Sequence, residues 1–476
     1  MIVVTILVIK FFLKVILLHN LLKVTRYNFT IWILKFYIKR KIILIKDYYS
    51  RLNMEYITPN RFDLIAKYLY IKYYNKEYKS KFYLDLYKNH IEVFNKSWEY
   101  PGTKKNIEDF LNSFDKLIKS LRDNGYNKDF PIIIGKNGVI INGVHRLMIC
   151  KYYNIKPIIQ LSDKNGCETY HYDFFLNRNN YWRRDNEIYQ NLDRIYTDTM
   201  ALEYVKIKNN IRSIVFYPII YNKIGVNGKQ INSLISNYGY LYYKKTIKLS
   251  KNGFRNLLKE MYRGEGWIGG LFPNNYHCRE KLDVCYHDSP VEFYLVEFKD
   301  IGNIVEFKSK LRDIFKIGKH SVHIPDNQID TFRISSSLLN NNSIHFLNNS
   351  NINSVSPRFT SLIQYFNKLK QSNVDFCITS SIILEMYSLR DAKDIDYLHR
   401  DNMEININNF GCHKGSWLNY YHIPKEEIIY NPKYHFYFNG FKFASLDVIK
   451  QMKIKRNEEK DKMDVKLITA KINNII

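Results

Sequence analysis

The chain has 476 residues and a formal net charge of +26, which is enough length for about two to four domains with sizeable cores. A positive balance of this size is typical of proteins that meet nucleic acid, anionic membranes or phosphorylated ligands. The chain has no dense basic run and no arginine-rich arm, so we do not expect nucleic acid as its partner. Its many Lys, Asn, Ile and Tyr residues indicate the AT-rich genome of a virus or microbe, and that bias accounts for part of the charge.

Six cysteines are scattered along the chain, and none forms a Cys-x-x-Cys pair. Because this is too few for a disulfide framework, we expect a reducing compartment, the cytoplasm, or the host cytoplasm if the source is a virus. His277, Cys278, Cys285 and His287 are zinc ligand types, but their spacing matches no common zinc site. We therefore interpret them as buried thiols and surface histidines.

Residues 1–22 are largely apolar and long enough for a membrane span. Lys10 and Lys14 lie near the middle, where each lysine costs about 2.5–3.5 kcal/mol on insertion scales. The two lysines share one helix face, so an amphipathic helix on an anionic membrane also fits, as does a buried helix of the first domain. We take residues 1–41 as an apolar, basic segment and a candidate membrane anchor.

Residues 42–210 are predicted to form a helical region with a small α/β unit inside it. Apolar spacing and start signals predict helices over 61–74 and 107–124. A compact pattern follows, with these predicted elements: strands at 131–134 and 139–141, a helix from 142 to about 153, and a strand at 158–161.

The segment Asn-Gly-Val-His-Arg-Leu at residues 142–147 resembles the G-x-I-x-D-G-x-H-R-L motif of ParB/sulfiredoxin-like domains, over about residues 105–165. The resemblance implies nucleotide or phosphate binding by four residues: Asn142, Gly143, His145 and Arg146. Free N–H groups at a helix start and a guanidinium fork suit phosphate, and a histidine can orient it or transfer a proton. Asn142 replaces the family's aspartate. In the alternative interpretation, His145 and Arg146 only brace the turn.

Residues 211–347 are predicted to be a middle α/β domain, with a kinase-like or substrate-binding role. The predicted elements are strands at 213–218, 241–244, 247–249 and 291–298, and helices at 254–262 and 304–315. A glycine-rich loop at 265–270 lacks the lysine of a P-loop. A polar stretch at 318–326 is predicted to be a strand whose Lys, His and Asp side chains suit phosphoryl transfer. His320, His323 and Asp326 are thus candidate catalytic residues, or else histidines satisfied on a half-buried strand.

Asparagine-rich stretches at 340–342 and 348–350 predict a linker, which we place at residues 348–358. The final domain, residues 359–476, begins with an apolar run that ends in a polar turn at 379–381. A helix-length segment then leads to Asp394 and Asp396. On a strand, residues i and i+2 point to the same side, so two carboxylates converge and can hold Mg²⁺ with the phosphates of a nucleotide.

This order resembles the nucleotidyltransferase superfamily, in which an apolar strand, a Gly-Ser turn, a helix and a D-x-D pair follow one another. A strand, a cap and a helix with spaced Lys and Arg lead to a K-D-x-x-D element at 460–464, as in small members, and the resemblance covers about residues 360–470. It implies these roles: Asp394 and Asp396 as catalytic residues and magnesium ligands, Ser380 and Ser381 on the triphosphate, and Lys442 or Lys453 neutralising phosphate charge.

The sequence departs from the superfamily pattern in two places. Thr379 or Ser380 takes the place of the glycine, and the candidate strand at 434–438 carries no acid where the superfamily has a third carboxylate. A binding-only domain is therefore the alternative.

Together these patterns predict a multidomain α/β (α+β) protein with a ParB/sulfiredoxin-like unit, a middle α/β unit and a C-terminal nucleotidyltransferase-like mixed sheet with helices. We expect a transferase that uses Mg²⁺ and a nucleoside triphosphate, ATP or CTP. Its expected acceptor is a small polar molecule, such as a sugar phosphate bound for a surface glycan. The alternative is a non-catalytic nucleotide- or DNA-binding protein.

Overall fold

A computed structural model describes residues 57–473, except for these positions: 59, 98, 100–101, 167–169, 181–188, 270–274, 353–372 and 406–407. The predictions for residues 1–41, the membrane segment among them, lie outside the described residues. Within the described part, no helix is both long and apolar enough to cross a membrane. The described residues form a mixed α/β fold with three small sheets, which confirms the predicted fold class.

The N-terminal unit consists of residues 57–207 as far as they are described. Its helices are α1 (Asp63–Tyr74), α2 (Lys81–Asn95), α3 (Ile107–Asn124), α4 (Val144–Tyr153), α5 (Tyr172–Leu176) and α6 (Arg194–Ile207). Its strands are β1 (Ile132–Gly135), β2 (Ile140–Asn142) and β3 (Ile159–Ser162). Strand β1 pairs antiparallel with β2 and parallel with β3. The predicted strand–turn–strand–helix–strand order is confirmed.

Local sequence explains where the α3 helix begins and ends. The Asn106 side chain accepts a hydrogen bond from the Asp109 N–H, which satisfies one free donor of the first turn. At the other end, Gly125 has a φ of 74°, a value that favours glycine. Helix α1 is instead buried along most of its length, and its Asp63 is held by Arg61 and Lys67 at 2.8 Å each.

The middle unit, residues 211–349, contains a four-stranded antiparallel sheet. Its strands are β4 (Ile211–Phe216), β5 (Gly239–Ile247), β6 (Val291–Phe298) and β7 (Val322–His323). Its helices are α7 (Tyr221–Val226), α8 (Gly228–Tyr238), α9 (Lys251–Met261), α10 (Cys278–Cys285), α11 (Ile304–Phe315), α12 (Gln328–Leu338) and α13 (Asn341–Asn349). The sheet order β5-β6-β4-β7, with helices between β4 and β5 and between β6 and β7, is that of a ferredoxin-like split βαβ unit.

Two strand predictions for the middle unit are corrected. In place of the strands predicted at 241–244 and 247–249 there is one strand, β5, which pairs with β6 along its length and ends at Ile247, so residues 248–249 lie outside it. The strand predicted over 318–326 is reduced to Val322–His323, after a 3₁₀ turn at Gly318–His320.

The asparagine run at 340–342, predicted as linker, opens helix α13 instead. The Asn340 side chain accepts a hydrogen bond from the Ser343 N–H and so caps the helix. Phe346 of this helix stacks on Phe436, with ring centroids 4.6 Å apart. The helix therefore packs the middle unit against the last sheet, and residues 353–358 of the predicted linker lie outside the described part.

The C-terminal unit, residues 373–473, is a five-stranded mixed sheet with helices. Its strands are β8 (Phe376–Thr379), β9 (Ile395–His399), β10 (Phe410–Cys412), β11 (His435–Phe438) and β12 (Phe441–Ala444). Its helices are α14 (Ile382–Met386), α15 (Lys425–Tyr430), α16 (Leu446–Arg456) and α17 (Glu459–Ile472). The sheet order is β10-β9-β8-β12-β11. One continuous apolar core runs through all three units, and a second lies between the middle sheet and helices α8 and α11.

Candidate functional site

The polar turn and the acid pair meet at one edge of the C-terminal sheet. Strand β8 ends at Thr379, and the antiparallel strand β9 begins beside it, with Thr379 and Asp396 as register partners. Asp394 directly precedes β9. Because antiparallel neighbours place the end of one strand beside the start of the next, residues 379–381 and both carboxylates lie at the same edge. We call this the acid edge.

The turn at the acid edge has a backbone shape that favours glycine. Ser380 has a φ of 68°, in the left-handed region that side chains rarely adopt. Its carbonyl accepts a hydrogen bond from the Ile383 N–H at 3.2 Å, and the Ser381 carbonyl accepts one from Leu384 at 3.0 Å. The α14 helix that follows has only five residues, so the predicted helix-length segment is mostly irregular.

Asp396 lies over the neighbouring strand β10. Its side chain is 16% exposed, and its Oδ2 lies 3.3 Å from His413 Nε2. A Cβ at Gly411, its register partner, would come within 2.8 Å of Asp396 Oδ1, so the glycine leaves room for the carboxylate. Asp394 is exposed, and no hydrogen bond or ion pair of its side chain occurs within the described residues.

A hydrogen-bonded chain links His413 back to the turn. His413 Nδ1 lies 2.7 Å from the Tyr421 hydroxyl, which lies 3.0 Å from Thr379 Oγ1. The His413 ring also stacks on Trp417, with centroids 4.7 Å apart and planes 6° apart. Burial raises the pKa of Tyr421, so this hydroxyl stays protonated. Sequence reasoning missed His413 because its place beside Asp396 depends on the β9–β10 pairing.

Arg390 is a second residue that sequence reasoning missed. Its Nε and Nη2 donate to the two carboxylate oxygens of Asp464 at 2.6 Å each, and Nη2 also lies 3.2 Å from Ser381 Oγ. Its side chain is 32% exposed. Arg390 therefore brings positive charge to the turn. Only its position between the turn and the acid pair could have drawn attention to it.

Lys453 belongs to the same network but is fully buried. Its ammonium lies 3.1 Å from Asp461 Oδ1 and 2.6 Å from Asp464 Oδ2. Asp461 also accepts from Arg456 Nη2 at 2.6 Å. Burial raises the pKa of Asp461, but hydrogen bonds from Arg456 and Lys453 outweigh it and hold that pKa at about 2. The network joins α16 to α17, and the two close partners of Lys453, Asp461 and Asp464, both belong to this network.

Lys442 lies away from the acid edge. It is on β12, and its side-chain nitrogen donates to the carbonyl of Val374, which precedes β8. It also donates to the carbonyl of Ile429, at 2.6 Å. These carbonyls are at the opposite end of β8 from the turn. Burial lowers the pKa of Lys442 to about 7. Lys442 and the acid pair are thus not brought together.

The Asn142–Arg146 turn has a packed histidine. His145 Nε2 lies 3.0 Å from the Tyr87 hydroxyl, and its ring is 4.6 Å from that of Phe114. Burial lowers the pKa of His145 well below its usual value. Gly143 has a φ of 97° and Asn142 is exposed.

Arg146 of the same turn donates from Nη2 to the Pro131 carbonyl at 3.2 Å, while its buried Nε has no hydrogen-bond partner within the described residues. These contacts match the interpretation in which His145 and Arg146 brace the turn. Phosphate binding by Asn142 and Gly143 stays a prediction.

The three candidates of the middle unit contact three different partners. His320 Nδ1 lies 3.5 Å from Cys285 Sγ. His323 faces Tyr262, with ring centroids 4.8 Å apart, and burial lowers its pKa to about 3. The exposed carboxylate of Asp326 pairs with Lys308. No contact joins the three to one another within the described residues.

The histidines and cysteines considered for zinc also separate. Cys278 Sγ lies 3.6 Å from the Arg255 carbonyl, and His277 pairs with Glu280. His287 Nδ1 lies 2.9 Å from Ser289 Oγ. Throughout the described part of the chain, no three His, Cys, Asp or Glu side chains form a group that could hold a metal ion.

Comparisons with family models, with curated proteins and with solved structures find no match to this chain. The two family resemblances therefore rest on the residues given above.

Proposed function

We propose that the acid edge carries out Mg²⁺-dependent nucleotidyl transfer to a small polar acceptor. The acceptor hydroxyl oxygen bonds to the α-phosphorus of a nucleoside triphosphate as the bond from that phosphorus to the bridging oxygen of the β-phosphate breaks. Pyrophosphate leaves, and the hydroxyl proton passes to solvent water. The observation that carries this proposal is the β8–β9 register, which sets Asp396 opposite Thr379 and so joins the acid pair to the hydroxyl-bearing turn.

The donor set fits a magnesium ion that arrives with its nucleotide. Two carboxylates one residue apart do not make a complete protein cage. Magnesium, however, keeps several waters and is commonly bound through one or two carboxylates plus substrate phosphates. Asp394 and Asp396 would hold the ion, which supplies charge stabilisation to the transferring phosphoryl group.

The chain's own residues have distinct roles in this proposal. Ser381, which is partly exposed, offers its hydroxyl to the triphosphate, and Arg390 adds positive charge beside it. The buried Ser380 contributes through the shape of the turn. His413 holds the Asp396 carboxylate in place. Lys442 takes no part in this transfer because it lies at the other end of β8 from the turn, and Lys453 takes none because the buried Asp461 and Asp464 already hold it.

The test is pyrophosphate release in Mg²⁺ from ATP, CTP, GTP and UTP, with a panel of sugar phosphates as acceptors. We expect release by the unaltered protein and none by Asp394→Asn/Asp396→Asn. Asp391→Asn is the matched control, since Asp391 is an exposed acid three residues earlier. Equal release by the double variant would overturn the proposal.

A binding-only protein is the second candidate, and one observation favours it. Beside Asp396, the strand β10 offers Gly411 and then His413, and no third carboxylate occurs there within the described residues. Both His413 nitrogens already have partners, so neither is free to accept the proton of an acceptor. Mg²⁺-dependent nucleotide binding without any pyrophosphate release would select this candidate.

The remaining expectations stay predictions. They include nucleotide binding by the ParB/sulfiredoxin-like unit, a kinase-like or substrate-binding middle unit, an acceptor bound for a surface glycan, and a cytoplasmic location.

A further inference from the structure

A cavity of about 450 Å³ lies where the three units meet. The N-terminal unit contributes Tyr78, Tyr83 and Lys206 to its lining, the middle unit Phe332, and the C-terminal unit Tyr430, Tyr437 and Lys442. Its volume is in the range of about 300–1,000 Å³ that holds drug-sized ligands. The lining is mostly apolar, as expected for a site that takes an organic molecule rather than a bare ion.

Two groups of aromatic rings line this cavity. In the first, the Tyr78 ring lies 4.9 Å from that of Tyr83 and 5.6 Å from that of Tyr430. In the second, Phe332 and Tyr437 have ring centroids 6.4 Å apart. A lining of this kind suits a flat ligand, because aromatic groups pack well in offset or edge-to-face contact.

The charge of the lining has one sign. Among the described residues that line the cavity there are two lysines and no acid. Lys206 is 27% exposed, and its ammonium lies 5.5 Å from the Tyr78 ring and 5.8 Å from that of Phe332. Lys442 lies 5.3 Å from the Tyr430 ring. Both lysine side chains therefore lie against aromatic rings of the lining.

Lys206 and Lys442 are held by partners that still leave them able to meet an anion. Lys206 shares Glu203 with Lys72, which lies closer to that carboxylate, at 2.8 Å against 3.2 Å. Lys442 donates to two carbonyls. Its ammonium form, which predominates below a pH of about 7 because burial lowers the pKa of Lys442 to about 7, has a third donor for an anion.

We propose that this cavity binds a small anion with a flat ring, and that the anionic group lies between Lys206 and Lys442. The anionic group is a phosphate or a carboxylate, and the ring lies against the aromatic side chains of the lining. The cavity is not the acid edge, because Val374 and Lys442 are at the opposite end of β8 from the turn. A bound molecule would touch all three units at once, so it would also stabilise their packing.

Isothermal titration calorimetry with four probes tests which chemical groups of a ligand the cavity requires. AMP carries a ring and a phosphate, 1-naphthoate a ring and a carboxylate, adenosine a ring alone, and inorganic phosphate an anion alone. We expect AMP or 1-naphthoate to bind with a Kd below about 1 mM, and adenosine and phosphate to bind at least tenfold more weakly. Which of the two ring-bearing anions binds tells phosphate from carboxylate. Failure of both to bind would overturn the proposal.

Paired variants at the mouth of the cavity test its location. Ile329 lines the cavity and is 79% exposed, so either charge there leaves the fold intact. Ile329→Glu should weaken binding about threefold to fivefold, and Ile329→Lys should not weaken it, since one charge acts over a few ångströms in water. Equal affinity of the two variants would contradict the proposal.

Lys206→Met tests the anion contact itself and should weaken binding at least tenfold, while Lys72 still pairs with Glu203. Binding must also persist in EDTA and in Asp394→Asn/Asp396→Asn. Binding that is lost under those two conditions belongs to the acid edge and would overturn this proposal, while it would support the proposed function. Persistence of binding supports the cavity whether or not nucleotidyl transfer is found.

Discussion

Two strand–turn–helix segments of this chain have sequence patterns that predict phosphate binding, and the structure treats their side chains differently. At the acid edge, Asp394 is exposed and Asp396 is partly exposed beside the turn. In the segment at 142–147, Asn142 is also exposed and His145 partly exposed, but the His145 ring packs against Phe114 and its Nε2 contacts the Tyr87 hydroxyl. The comparison shows that a motif fixes which groups are present, while the neighbouring elements decide whether those groups remain available to a ligand.

The largest effect should separate the two segments directly. Asp394→Asn/Asp396→Asn should reduce pyrophosphate release at least about a hundredfold, because loss of metal-assisted charge stabilisation costs several kcal/mol. His145→Ala/Arg146→Ala should leave the rate per folded molecule unchanged. Steady-state release assays, normalised to the folded fraction, make the measurement. A greater loss in the second variant would reverse the comparison.

A variant of Lys453 tests whether this lysine, which was predicted to bind phosphate, stabilises the fold instead. Lys453→Met leaves Asp461 and Asp464 short of a buried partner and should lower the free energy of unfolding by about 3–5 kcal/mol. Urea unfolding gives this value, and Lys466→Met, an exposed lysine of α17, is the control. An unchanged unfolding midpoint with lost nucleotide binding would restore Lys453 to the binding site.

The buried Lys442 should make the free energy of unfolding depend on pH. Burial lowers its pKa from 10.5 to about 7, so between these values the unfolded chain binds a proton that the folded chain lacks. The free energy of unfolding therefore rises with pH across this window, by up to about 1.4 kcal/mol per pH unit from this group. Urea unfolding from pH 7 to 9 should show this rise in the unaltered protein relative to Lys442→Met. Parallel curves for the two proteins would show that Lys442 is not buried as described.

The smallest expected effect concerns the packed histidine. Tyr87→Phe removes the hydrogen bond to His145 Nε2 and should cost about 1 kcal/mol of unfolding free energy, with no change in nucleotide affinity. Urea unfolding and calorimetric titration provide the two readings. A tenfold drop in affinity at constant stability would mean that His145 acts on a ligand.

Much of the secondary structure could be predicted because its signals are local. Helices over Ile107–Asn124 and Ile304–Phe315 and the strand Val291–Phe298 have the predicted bounds. The α3 helix shows why, since Asn106 and Gly125 fix its ends. Such signals act within a few residues, so a single sequence contains them.

The predictions that were wrong failed for a common reason, which is that contacts between residues far apart in the sequence decide the local structure. The local pattern around Lys245 predicts the end of a strand, but β5 continues through this residue. It does so because Lys245 pairs with the buried Asp198 of α6 at 2.7 Å. The Asn340 run opens a helix that is held on β11, where Asn340 Nδ2 donates to the His435 carbonyl at 3.2 Å. Neither partner is visible from the local pattern.

The candidate site divides in the same way. The neighbourhood of Asp396 and the turn was predictable from order and spacing. Arg390 and His413 were not, because their places depend on Asp464 and on strand β10. The contacts of Lys442 and Lys453 could not be predicted either, since the spacing of residues along a chain does not show which end of a strand a buried lysine lies near.

The most direct test of the account is Mn²⁺ binding followed by electron paramagnetic resonance, with α,β-methylene ATP as the nucleotide. We expect the protein to bind Mn²⁺ tightly only when the nucleotide is present, and we expect Asp396→Asn to abolish this binding while Asp391→Asn preserves it. Nucleotide-dependent Mn²⁺ binding that survives Asp396→Asn, or no such binding by the unaltered protein, would contradict the assignment of the acid edge.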